Sequence, residues 1–600
     1  MTTPDFGRNL VDLFEKSAAA SGDKPFLWAK IDGRYQPWSW STVREQVHHL
    51  SRALRAKGLE PGDRVLLVAE NRPEWAITDL AILRAGGVAV PAYTTNTDDD
   101  HLHLLNDSGA KMVVVSTSKL AQNLLPAVKQ STDAKTLITI DRLSETADLD
   151  IETLTFEEAL SLGAAEADFT EDPASTLSRN DLACLIYTSG TGGRPKGVML
   201  SHGNIQANVQ SAYQLLEELG LGNDVFLSFL PLSHAYEHMA GLFLPIAIEA
   251  EIYYAEGIET LSANLVEAKP TVMACVPRLY EVLRQRILSG VKRQSGLKPK
   301  LFDMALSIGI KAYEDRSSLS LFERLINPIL DRLVREKVRA RFGGRMKALV
   351  SGGAPLNYDV GLFFTALGLP VFQGYGQTEC SPVISVNTPS LVKLKSVGPA
   401  LPGVEVKFAE DGEILVRSAA VMQGYWRNEE ATKSTLIDGW LHTGDVGEID
   451  EDGYIKITDR KRDLIVNSGG DNIAPQRVEG VVALEPEIGQ ILVYGDQRPH
   501  LVALVVPDDE FVTSFARGEG KTKQLGDLAD DQGFREAIDG ALRRANQRLS
   551  PIERIRRFKI LPEPFTIENG TMTPTLKLKR QIIYKNHETT IAELYGNKRT

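Results

Sequence analysis

The sequence predicts an α/β fold with a large amino-terminal domain made of several subdomains and a small α+β carboxy-terminal domain. Three observations lead to this prediction. The 600 residues are too many for one hydrophobic core, because single cores stop growing near about 250–300 residues. Strand-length apolar runs alternate with helical patterns in the first part of the chain. A charged junction, TDRKRD at 458–463, separates this part from a final segment with a different pattern.

The amino-terminal pattern is typical of parallel strands connected by helices. A helical pattern at 74–84 stands between two of the apolar runs, which lie at 64–68, 87–91, 111–116, 183–187, 271–276 and 348–350. Short runs rich in β-branched residues indicate strands that are buried on both faces of a sheet. Ligands of open α/β sheets bind where loops leave the carboxyl ends of the strands. We therefore expect the functional site at that edge.

The pattern changes from residue 411 onward to short strands and turns, at 412–418 and 453–458. The final segment shows strands near 491–494 and 501–506, a helix near 534–547 and a basic tail at 573–580. We place the boundary in the charged junction. This gives an amino-terminal domain at 1–459 and a carboxy-terminal domain at 460–600.

The composition is that of a globular protein. The net charge of −12 argues against nucleic-acid binding. The chain starts without the basic and apolar regions of a secretory signal, and its longest apolar run, 239–248, covers only about half of a membrane span. The three cysteines are far apart and indicate no disulfide framework. These features predict a cytoplasmic protein.

The loop at 187–197, YTSGTGGRPKG, predicts a phosphate-binding site. Its glycines allow backbone N–H groups to turn toward an anion, its hydroxyl groups add donors, and Lys196 adds a positive charge. The loop lacks the spacing of a Walker A motif and contains no GxGxxG. It therefore differs from both of these common nucleotide-binding loops.

The same stretch, continued as YTSGTGGRPKGVMLSH, closely resembles the signature of the adenylate-forming (AMP-binding) superfamily, which includes acyl-CoA synthetases, luciferases and peptide-synthetase adenylation domains. Six further motifs follow in order: FLPLSHAYEH at 229–238, VSGGAPL at 350–356, GYGQTE at 374–379, LHTGDVGEID at 441–450, DRKRDLI at 459–465 and TPTLKLKR at 573–580. The resemblance implies that the small carboxy-terminal domain is a mobile cap over the amino-terminal domain.

The resemblance also implies where ATP binds. The β- and γ-phosphates are expected to contact Thr188, Ser189, Gly190, Thr191, Gly192 and Lys196. Gly192 stands where a second threonine is common in the family, so one hydroxyl donor is lost, and Arg194 is placed to compensate. Thr378 is expected at the α-phosphate. Glu379 is expected to hold Mg²⁺, with Thr191 as a second contact, because Mg²⁺ prefers hard oxygen ligands.

The remaining nucleotide contacts follow from the other motifs. Tyr375, beside Gly376, is expected to stack on adenine, and the small residues of the pocket for the base are Gly352, Gly353 and Ala354. Asp445 is expected to accept from the ribose hydroxyls. Arg460 is expected to contact the ribose or a phosphate, and Arg462, in the same charged run, lies at or next to the hinge of the cap.

The chemistry implied by the resemblance needs charge and positioning. A carboxylate attacks the α-phosphate while negative charge accumulates there and on pyrophosphate, so no protein nucleophile is required. Lys577, from the cap, is expected to enter the site for this step. Glu379 and His234, from the amino-terminal domain, are expected to act with it as catalytic residues. Coenzyme A then takes the acyl group. A long helical insertion and the TPTLKLKR tail are similar to the long-chain branch, which implies a fatty acid as the acyl substrate.

Three alternatives stay open. The chain could be a nucleotide-binding regulator without turnover. The acyl-adenylate could pass to a carrier protein instead of coenzyme A. Residues 234–238, HAYEH, also match HxxEH, the inverted zinc-protease motif, in which two histidines share a helix face and bind zinc.

The segment 278–347 has an unusual charge for this acidic chain. It contains 17 Lys and Arg residues and 7 Asp and Glu residues, a local charge of +10. Three interpretations remain open: a solvated helical surface, contact with an anionic membrane, or binding of the 3′-phosphate of coenzyme A. The second implies a protein peripheral to the inner face of the membrane.

Overall fold

The computed structural model describes residues 5–143, 149–188, 194–460, 465–469, 471–520, 525–573 and 575–596. Within these ranges the amino-terminal part contains two eight-stranded sheets and a smaller antiparallel sheet, and the carboxy-terminal part is a separate α+β unit. The predicted α/β fold class is confirmed. The boundary between 459 and 460 remains a prediction, since residues 461–464 lie outside the described residues.

The first sheet supplies most of the edge at which the site is expected. In spatial order its strands are Val383–Val386, Val371–Gly376, Ala348–Ser351, Val272–Cys275, Val225–Ser228, Glu251–Tyr254, Pro25–Ile31 and Arg34–Ser39. The five inner strands from Val371–Gly376 to Glu251–Tyr254 pair in parallel, so their carboxyl ends lie at one edge. Val383–Val386 pairs antiparallel with its neighbour, which the alternating pattern does not predict.

The second sheet shows why its apolar runs are continuous. Its strands, in order, are Gly424–Tyr425, Lys196–Ser201, Leu182–Thr188, Val88–Pro91, Arg64–Val68, Met112–Val115, Thr136–Thr139 and Glu152–Thr155. Val65 and Leu67 pack into one hydrophobic cluster, whereas Leu66 and Val68 pack into another on the opposite face. Because successive side chains of a strand point to opposite faces, a sheet covered on both faces needs apolar residues at every position.

The third sheet follows the predicted change of pattern after residue 411. It contains Val404–Phe408, Glu413–Ser418, Trp440–Ile449, Leu436–Ile437 and Ile455–Arg460. The last of these strands pairs with Trp440–Ile449, and Arg460 lies opposite Asp445. The first half of the charged junction is therefore part of a strand.

The carboxy-terminal unit has its own sheet and cores. Strands Ile488–Tyr494, Leu501–Pro507 and Ile555–Ile560 form the sheet, and a short hairpin pairs Ile465–Val466 with Asn472–Ile473. Apolar residues on the two faces of the strand Leu501–Pro507 belong to two separate clusters. The predicted strands at 491–494 and 501–506 and the helix near 534–547 are confirmed.

Helices cover both faces of the amino-terminal sheets. The α-helices of this part are Leu10–Ser21, Trp40–Ala56, Pro73–Arg84, Asp98–Ser108, Ser118–Gln130, Phe156–Ala165, Pro173–Thr176, His202–Glu218, Ala235–Glu237, Leu244–Ala247, Leu261–Ala268, Pro277–Lys292, Lys298–Glu314, Leu321–Leu330, Glu336–Arg341, Tyr358–Ala366 and Glu429–Thr435. Two π-helical turns occur at His238–Phe243 and Asp331–Arg335. The carboxy-terminal helices are Pro475–Val482, Asp509–Gly518, Leu525–Ala529, Gln532–Gln547, Arg580–Asn586 and Glu588–Leu594. No helix in the described ranges is long and apolar enough to cross a bilayer.

Candidate active site

A cavity of about 680 Å³ lies where the carboxyl ends of the first sheet meet the phosphate-loop hairpin and the carboxy-terminal unit. Its lining includes nine residues proposed for the site from the sequence: Thr188, His234, Gly352, Gly353, Tyr375, Gly376, Thr378, Glu379 and Lys577. These residues come from five of the seven motifs. The cavity therefore brings together side chains that are separated by up to several hundred positions in the sequence.

The phosphate-loop hairpin fixes the position of Lys196. Strands Leu182–Thr188 and Lys196–Ser201 pair antiparallel, with Thr188 opposite Lys196. Ser189, Gly190, Thr191 and Gly192, which were proposed to contact phosphate, lie outside the described residues. The Nζ atom of Lys196 lies 4.8 Å from the centre of the Tyr425 ring. Tyr425 itself lines the cavity.

Glu379 is held beside the same tyrosine. It lies in the 3₁₀ turn Thr378–Cys380 after the strand Val371–Gly376. The Tyr425 hydroxyl donates to Oε1 of Glu379 at 2.8 Å, and the Met422 N–H donates to the Glu379 carbonyl at 2.9 Å. Tyr425 was missed by the sequence analysis. It belongs to a two-residue edge strand that pairs with Lys196–Ser201, and no motif marks it.

Tyr375 and Asp445 are directly connected. The Tyr375 hydroxyl donates to Oδ2 of Asp445 at 2.6 Å, and Asp445 is buried on the strand Trp440–Ile449. The bond fixes the far end of the Tyr375 ring at the cavity. Asp445 does not line the cavity wall, so the structure brings it to the site through this tyrosine. The side chain of Arg460 lies outside the described atoms, although its backbone pairs with Asp445.

Two glycines of the site are required for different reasons, one by a close contact and one by its backbone conformation. At Gly376 an added Cβ would lie 1.9 Å from the Pro382 carbonyl oxygen, which no side chain can tolerate. Gly353 has a φ of +80°, and an added Cβ there would lie 3.7 Å from Cε and 3.8 Å from Nζ of Lys577. These are ordinary van der Waals distances, so the positive φ, and not the lysine, favours glycine at position 353. Ala354, the third small residue proposed from the sequence, is not part of the cavity wall.

A tight turn in the carboxy-terminal unit presents Lys577. The Lys577 N–H donates to Oγ1 of Thr573 at 3.0 Å, and the Thr573 N–H donates to the Lys577 carbonyl at 2.8 Å. Leu576, between them, has a φ of 60°. Thr573 and Thr575 also line the cavity. This structure thus holds the carboxy-terminal unit with its lysine inside the site.

His234 is neutral in this environment. It caps the helix Ala235–Glu237, since the Tyr236 N–H donates to Nδ1 of His234 at 3.2 Å. Burial lowers the pKa of His234 to about 3, and the positive charge of Lys577 acts in the same direction. Because Nδ1 accepts a hydrogen bond, the neutral ring carries its proton on Nε2.

The cavity continues into an apolar branch. The wall of this branch is formed by the helix His202–Glu218, the turn His238–Phe243, the start of the helix Leu244–Ala247 and strands of the first sheet, including its edge strand Val383–Val386. It comprises Ala212, Leu215, Leu216, Phe226, Met239, Ala240, Leu244, Val272, Ala274, Val350, Val383 and Val386. Asn208 anchors the helix to the sheet, because its Nδ2 donates to the Val383 carbonyl at 2.7 Å and its Oδ1 accepts from the Val383 N–H at 3.1 Å. A site with one polar and one apolar end suits an amphiphilic acid.

The HxxEH motif does not have the geometry of a zinc site. His234 precedes the helix as its N-cap, and its Nδ1 accepts from the Tyr236 N–H, so this ring is already engaged at the start of the helix. Nε2 of His238 lies 3.0 Å from Oδ2 of Asp79, in a buried pair. Burial raises the pKa of Glu237 to about 8. No group of three or more metal-ligating side chains occurs in the described part of the chain.

Comparisons with known proteins identify the family of this chain. The AMP-binding enzyme family matches residues 14–426, and the AMP-binding enzyme C-terminal domain matches residues 462–599. The long-chain-fatty-acid–CoA ligase FadD15 of Mycobacterium tuberculosis is 34% identical over 578 residues, which cover 95% of this chain and 94% of the relative. The long-chain-fatty-acid–CoA ligase 5 of Rattus norvegicus is 32% identical and covers 98% of this chain and 88% of the relative.

Solved structures share the fold. The adenylation domain of a carboxylate reductase from Mycobacterium chelonae has a TM-score of 0.78 at 21% identity, covering 98% of this chain and 91% of that one. The anthranilate CoA ligase AuaEII, solved with anthranoyl-AMP, has a TM-score of 0.72 at 19% identity and covers 98% of both chains. At these identities the likeness concerns the fold alone.

Proposed function

This chain belongs to the AMP-binding enzyme family, and from that membership we propose that it is a long-chain fatty acid:CoA ligase that forms AMP. The reaction consists of two steps: a fatty carboxylate and ATP give acyl-adenylate and pyrophosphate, and coenzyme A then displaces AMP. One observation carries this proposal. A single cavity joins a polar end, lined by Glu379, Tyr375 and Lys577, to an apolar branch of the kind that an acyl chain needs. Relatives of nearly full length bear the name of this activity.

The polar end can stabilise the charge that develops during adenylation. The attacking carboxylate and the leaving pyrophosphate are both anionic, so fixed positive charge lowers the barrier. Lys577 provides such a charge inside the cavity, and Lys196 provides another at the phosphate-loop hairpin. The neutral His234 ring is able to donate from Nε2 to the substrate carboxylate without competing for a proton.

Mg²⁺ fits the donor set of this end of the cavity. Glu379 offers a carboxylate, and the Tyr425 hydroxyl holds one of its oxygens in place. A hard oxygen ligand next to a phosphate-binding loop is typical of a magnesium site in which substrate phosphates complete the coordination. When bound there, Mg²⁺ would neutralise phosphate charge. Thr191, proposed as a second contact, lies outside the described residues.

The roles of the nucleotide contacts remain proposals of the same kind. We assign the adenine pocket to Tyr375, Gly376 and the segment 352–354, and the ribose to Asp445 with Arg460. Tyr375 already fills one acceptor position of Asp445, so ribose binding would use the rest of that carboxylate. We assign the α-phosphate to Thr378.

The carboxy-terminal unit is proposed to be a mobile cap. Adenylation needs Lys577 inside and water excluded, whereas thioester formation needs an open path for coenzyme A. Polar contacts between side chains and backbone hold the cap in the described part of the chain. Nδ2 of Asn357 donates to the Gly480 carbonyl at 2.8 Å, Arg293 pairs with Glu510 at 2.8 Å, and Arg548 lies 3.9 Å from Asp359. Such contacts can break and re-form. Arg462, proposed at the pivot, lies outside the described residues.

We further propose that the enzyme works in the cytoplasm and binds peripherally to the inner face of the membrane. The basic segment 278–347 supports this, since each basic residue near an anionic surface contributes about 1 kcal/mol. Sedimentation with anionic vesicles should then weaken as salt rises. Vesicle binding that depends on neither lipid charge nor salt would contradict this proposal. The remaining interpretations of the basic segment would then be a solvated surface or a site for the 3′-phosphate of coenzyme A.

The two steps can be tested separately on the purified protein. Pyrophosphate release upon addition of a fatty acid and ATP reports the first step, and acyl-CoA formation reports the second. The discriminating comparison is coenzyme A against a phosphopantetheinylated carrier protein. Transfer to the carrier alone would overturn the coenzyme A assignment and leave the adenylation assignment intact.

A further inference from the structure

One helix of the basic segment exposes a row of large apolar side chains. We call Leu321, Phe322, Leu325, Ile329 and Leu333 the apolar strip. Their exposed fractions are 79%, 66%, 76%, 56% and 44%. Fifteen large hydrophobic side chains are exposed in the described part of the chain, and the five most exposed are Leu297 and the first four members of the strip. Exposure is thus concentrated on one surface, which is typical of an interaction site.

The strip is a regular feature of a well-anchored helix. Leu321, Leu325, Ile329 and Leu333 are four residues apart, so they line one face over about 18 Å. Ser320 and Glu323 form a capping box at the start of the helix. Because the first turn is capped, the strip is presented on a formed helix and not on a loose loop.

The opposite face of the same helical segment is buried. Ile326, Leu330, Val334 and Val338 pack into the hydrophobic cluster below the first sheet. Arg335 fixes the rotation of the segment, since its Nε donates to the Ala366 carbonyl at 2.8 Å and its Nη2 donates to the Ala305 carbonyl at 2.7 Å. The helix therefore cannot turn its apolar strip inward.

The charge around the strip is positive. Arg324 and Arg332 are exposed within it, and the whole segment 278–347 carries a charge of +10. The two acidic residues within 321–333 are already engaged, since Glu323 pairs with Lys311 at 2.6 Å and Asp331 pairs with Arg339 at 2.8 Å. An amphipathic helix with an apolar face and flanking Arg or Lys residues is the pattern of a helix that lies in a membrane interface.

We propose that the apolar strip inserts into the boundary between headgroups and acyl chains of an anionic bilayer, while the surrounding basic residues contact the headgroups. This inference rests on the proposed membrane contact and adds an insertion element to it. A second copy of the chain is a less suitable partner. A two-fold contact would place the same basic surface against itself, which costs electrostatic energy. A bilayer also dissolves the long-chain fatty acid that the enzyme is proposed to use.

The proposal predicts two separable contributions to vesicle binding. Attraction of the basic residues is screened by salt, over a Debye length of about 8 Å at physiological ionic strength. Insertion of the strip is apolar and is not screened. Replacing Leu321, Leu325 and Ile329 together with Ser should therefore weaken binding at high salt by at least about tenfold, because three buried apolar side chains are lost.

A matched triple variant controls for the loss of exposed apolar area. Leu391, Ile449 and Ile552 are also exposed, at 42%, 53% and 44%, and lie outside the segment. Changing these three to Ser should leave vesicle binding unchanged. Thermal denaturation of both variants, and their turnover of a short soluble acid without vesicles, should match the parent chain. If the parent chain itself shows no turnover, the proposed function is wrong, but the proposed insertion of the apolar strip is not affected.

A tryptophan probe tests the depth of insertion directly. The parent chain has six tryptophans of its own, so the signal is the difference in emission between Leu325→Trp and the parent. This difference should shift to shorter wavelength when vesicles of mixed phosphatidylglycerol and phosphatidylcholine are added, and lipids brominated near the headgroup should quench it. Emission that stays at its aqueous wavelength while the protein sediments with the vesicles would overturn insertion. A parent dimer that becomes a monomer in the serine variant would assign the strip to a second copy instead.

Discussion

Removing the charge of Lys577 should abolish most adenylation and spare transfer. Lys577 lines the cavity, and its Nζ lies 3.8 Å from the position that a Cβ on Gly353 would take. A unit charge about 4 Å from a phosphate oxygen contributes about 4 kcal/mol at an effective dielectric constant of 20. Water that enters the space of the lost side chain offsets part of this. We therefore expect Lys577→Ala to lose about 10²–10³-fold in adenylation rate, as for other preorganised charges.

The assay follows the two steps separately. Pyrophosphate release from fatty acid and ATP measures adenylation, and acyl-CoA formation from pre-made acyl-adenylate measures transfer. Lys585→Ala is the matched control, because it removes a lysine charge from an exposed position of the helix Arg580–Asn586 in the same unit. Equal losses in both steps for Lys577→Ala would refute this role and would point to a general structural function.

Five further variants test four other parts of the proposal. Glu379→Gln should raise the Mg²⁺ and MgATP concentrations needed for activity. Tyr425→Phe should raise them less, because it keeps the carboxylate and removes only its 2.8 Å hydrogen bond. An unchanged Mg²⁺ titration of Glu379→Gln would contradict the metal assignment. Ala212→Phe narrows the apolar branch, so it should lower kcat/KM for long acids by about 10–200-fold and leave kcat/KM for short acids unchanged. Equal effects on long and short acids would place Ala212 outside the path of the acyl chain. Burial raises the pKa of Glu237 from an ordinary 4.5 to about 8, so the folded state loses stability as pH rises from 4.5 to 8. Denaturation midpoints of Glu237→Gln should therefore depend less on pH than those of the parent chain. Parallel pH profiles for the two proteins would contradict this. Arg462→Pro should still form acyl-adenylate but transfer it poorly, because proline fixes φ near −65° and removes an N–H; equal loss of both steps, or of neither, would count against a hinge at this position.

The strands that carry the site could be predicted because their burial dictates their composition. Strands such as Arg64–Val68 and Ala348–Ser351 are covered on both faces, so the sequence shows unbroken apolar runs. Pairing direction is a different matter. The antiparallel partner of Val371–Gly376 shows the same kind of run, and only the tight turn at 377–382 decides its direction.

Contacts between distant segments could not be predicted from local pattern. Tyr425 reaches Glu379 because a two-residue strand pairs with the phosphate-loop hairpin, and two residues carry no periodicity. The HxxEH interpretation needs both histidines free to bind zinc, whereas His234 caps a helix and His238 pairs with the distant Asp79. The members of the apolar strip have helical spacing in the sequence. Which face of the helix is exposed, however, depends on the hydrogen bonds by which Arg335 fixes the rotation of the helix against its neighbours.

The most direct test of the central claim is a product balance for the purified enzyme with a long-chain fatty acid, MgATP and coenzyme A. We expect AMP, pyrophosphate and acyl-CoA to form in equal amounts, and we expect pyrophosphate to appear in a first turnover even when coenzyme A is left out. Formation of ADP and inorganic phosphate, or pyrophosphate release that requires coenzyme A from the first turnover, would contradict an acyl-adenylate pathway.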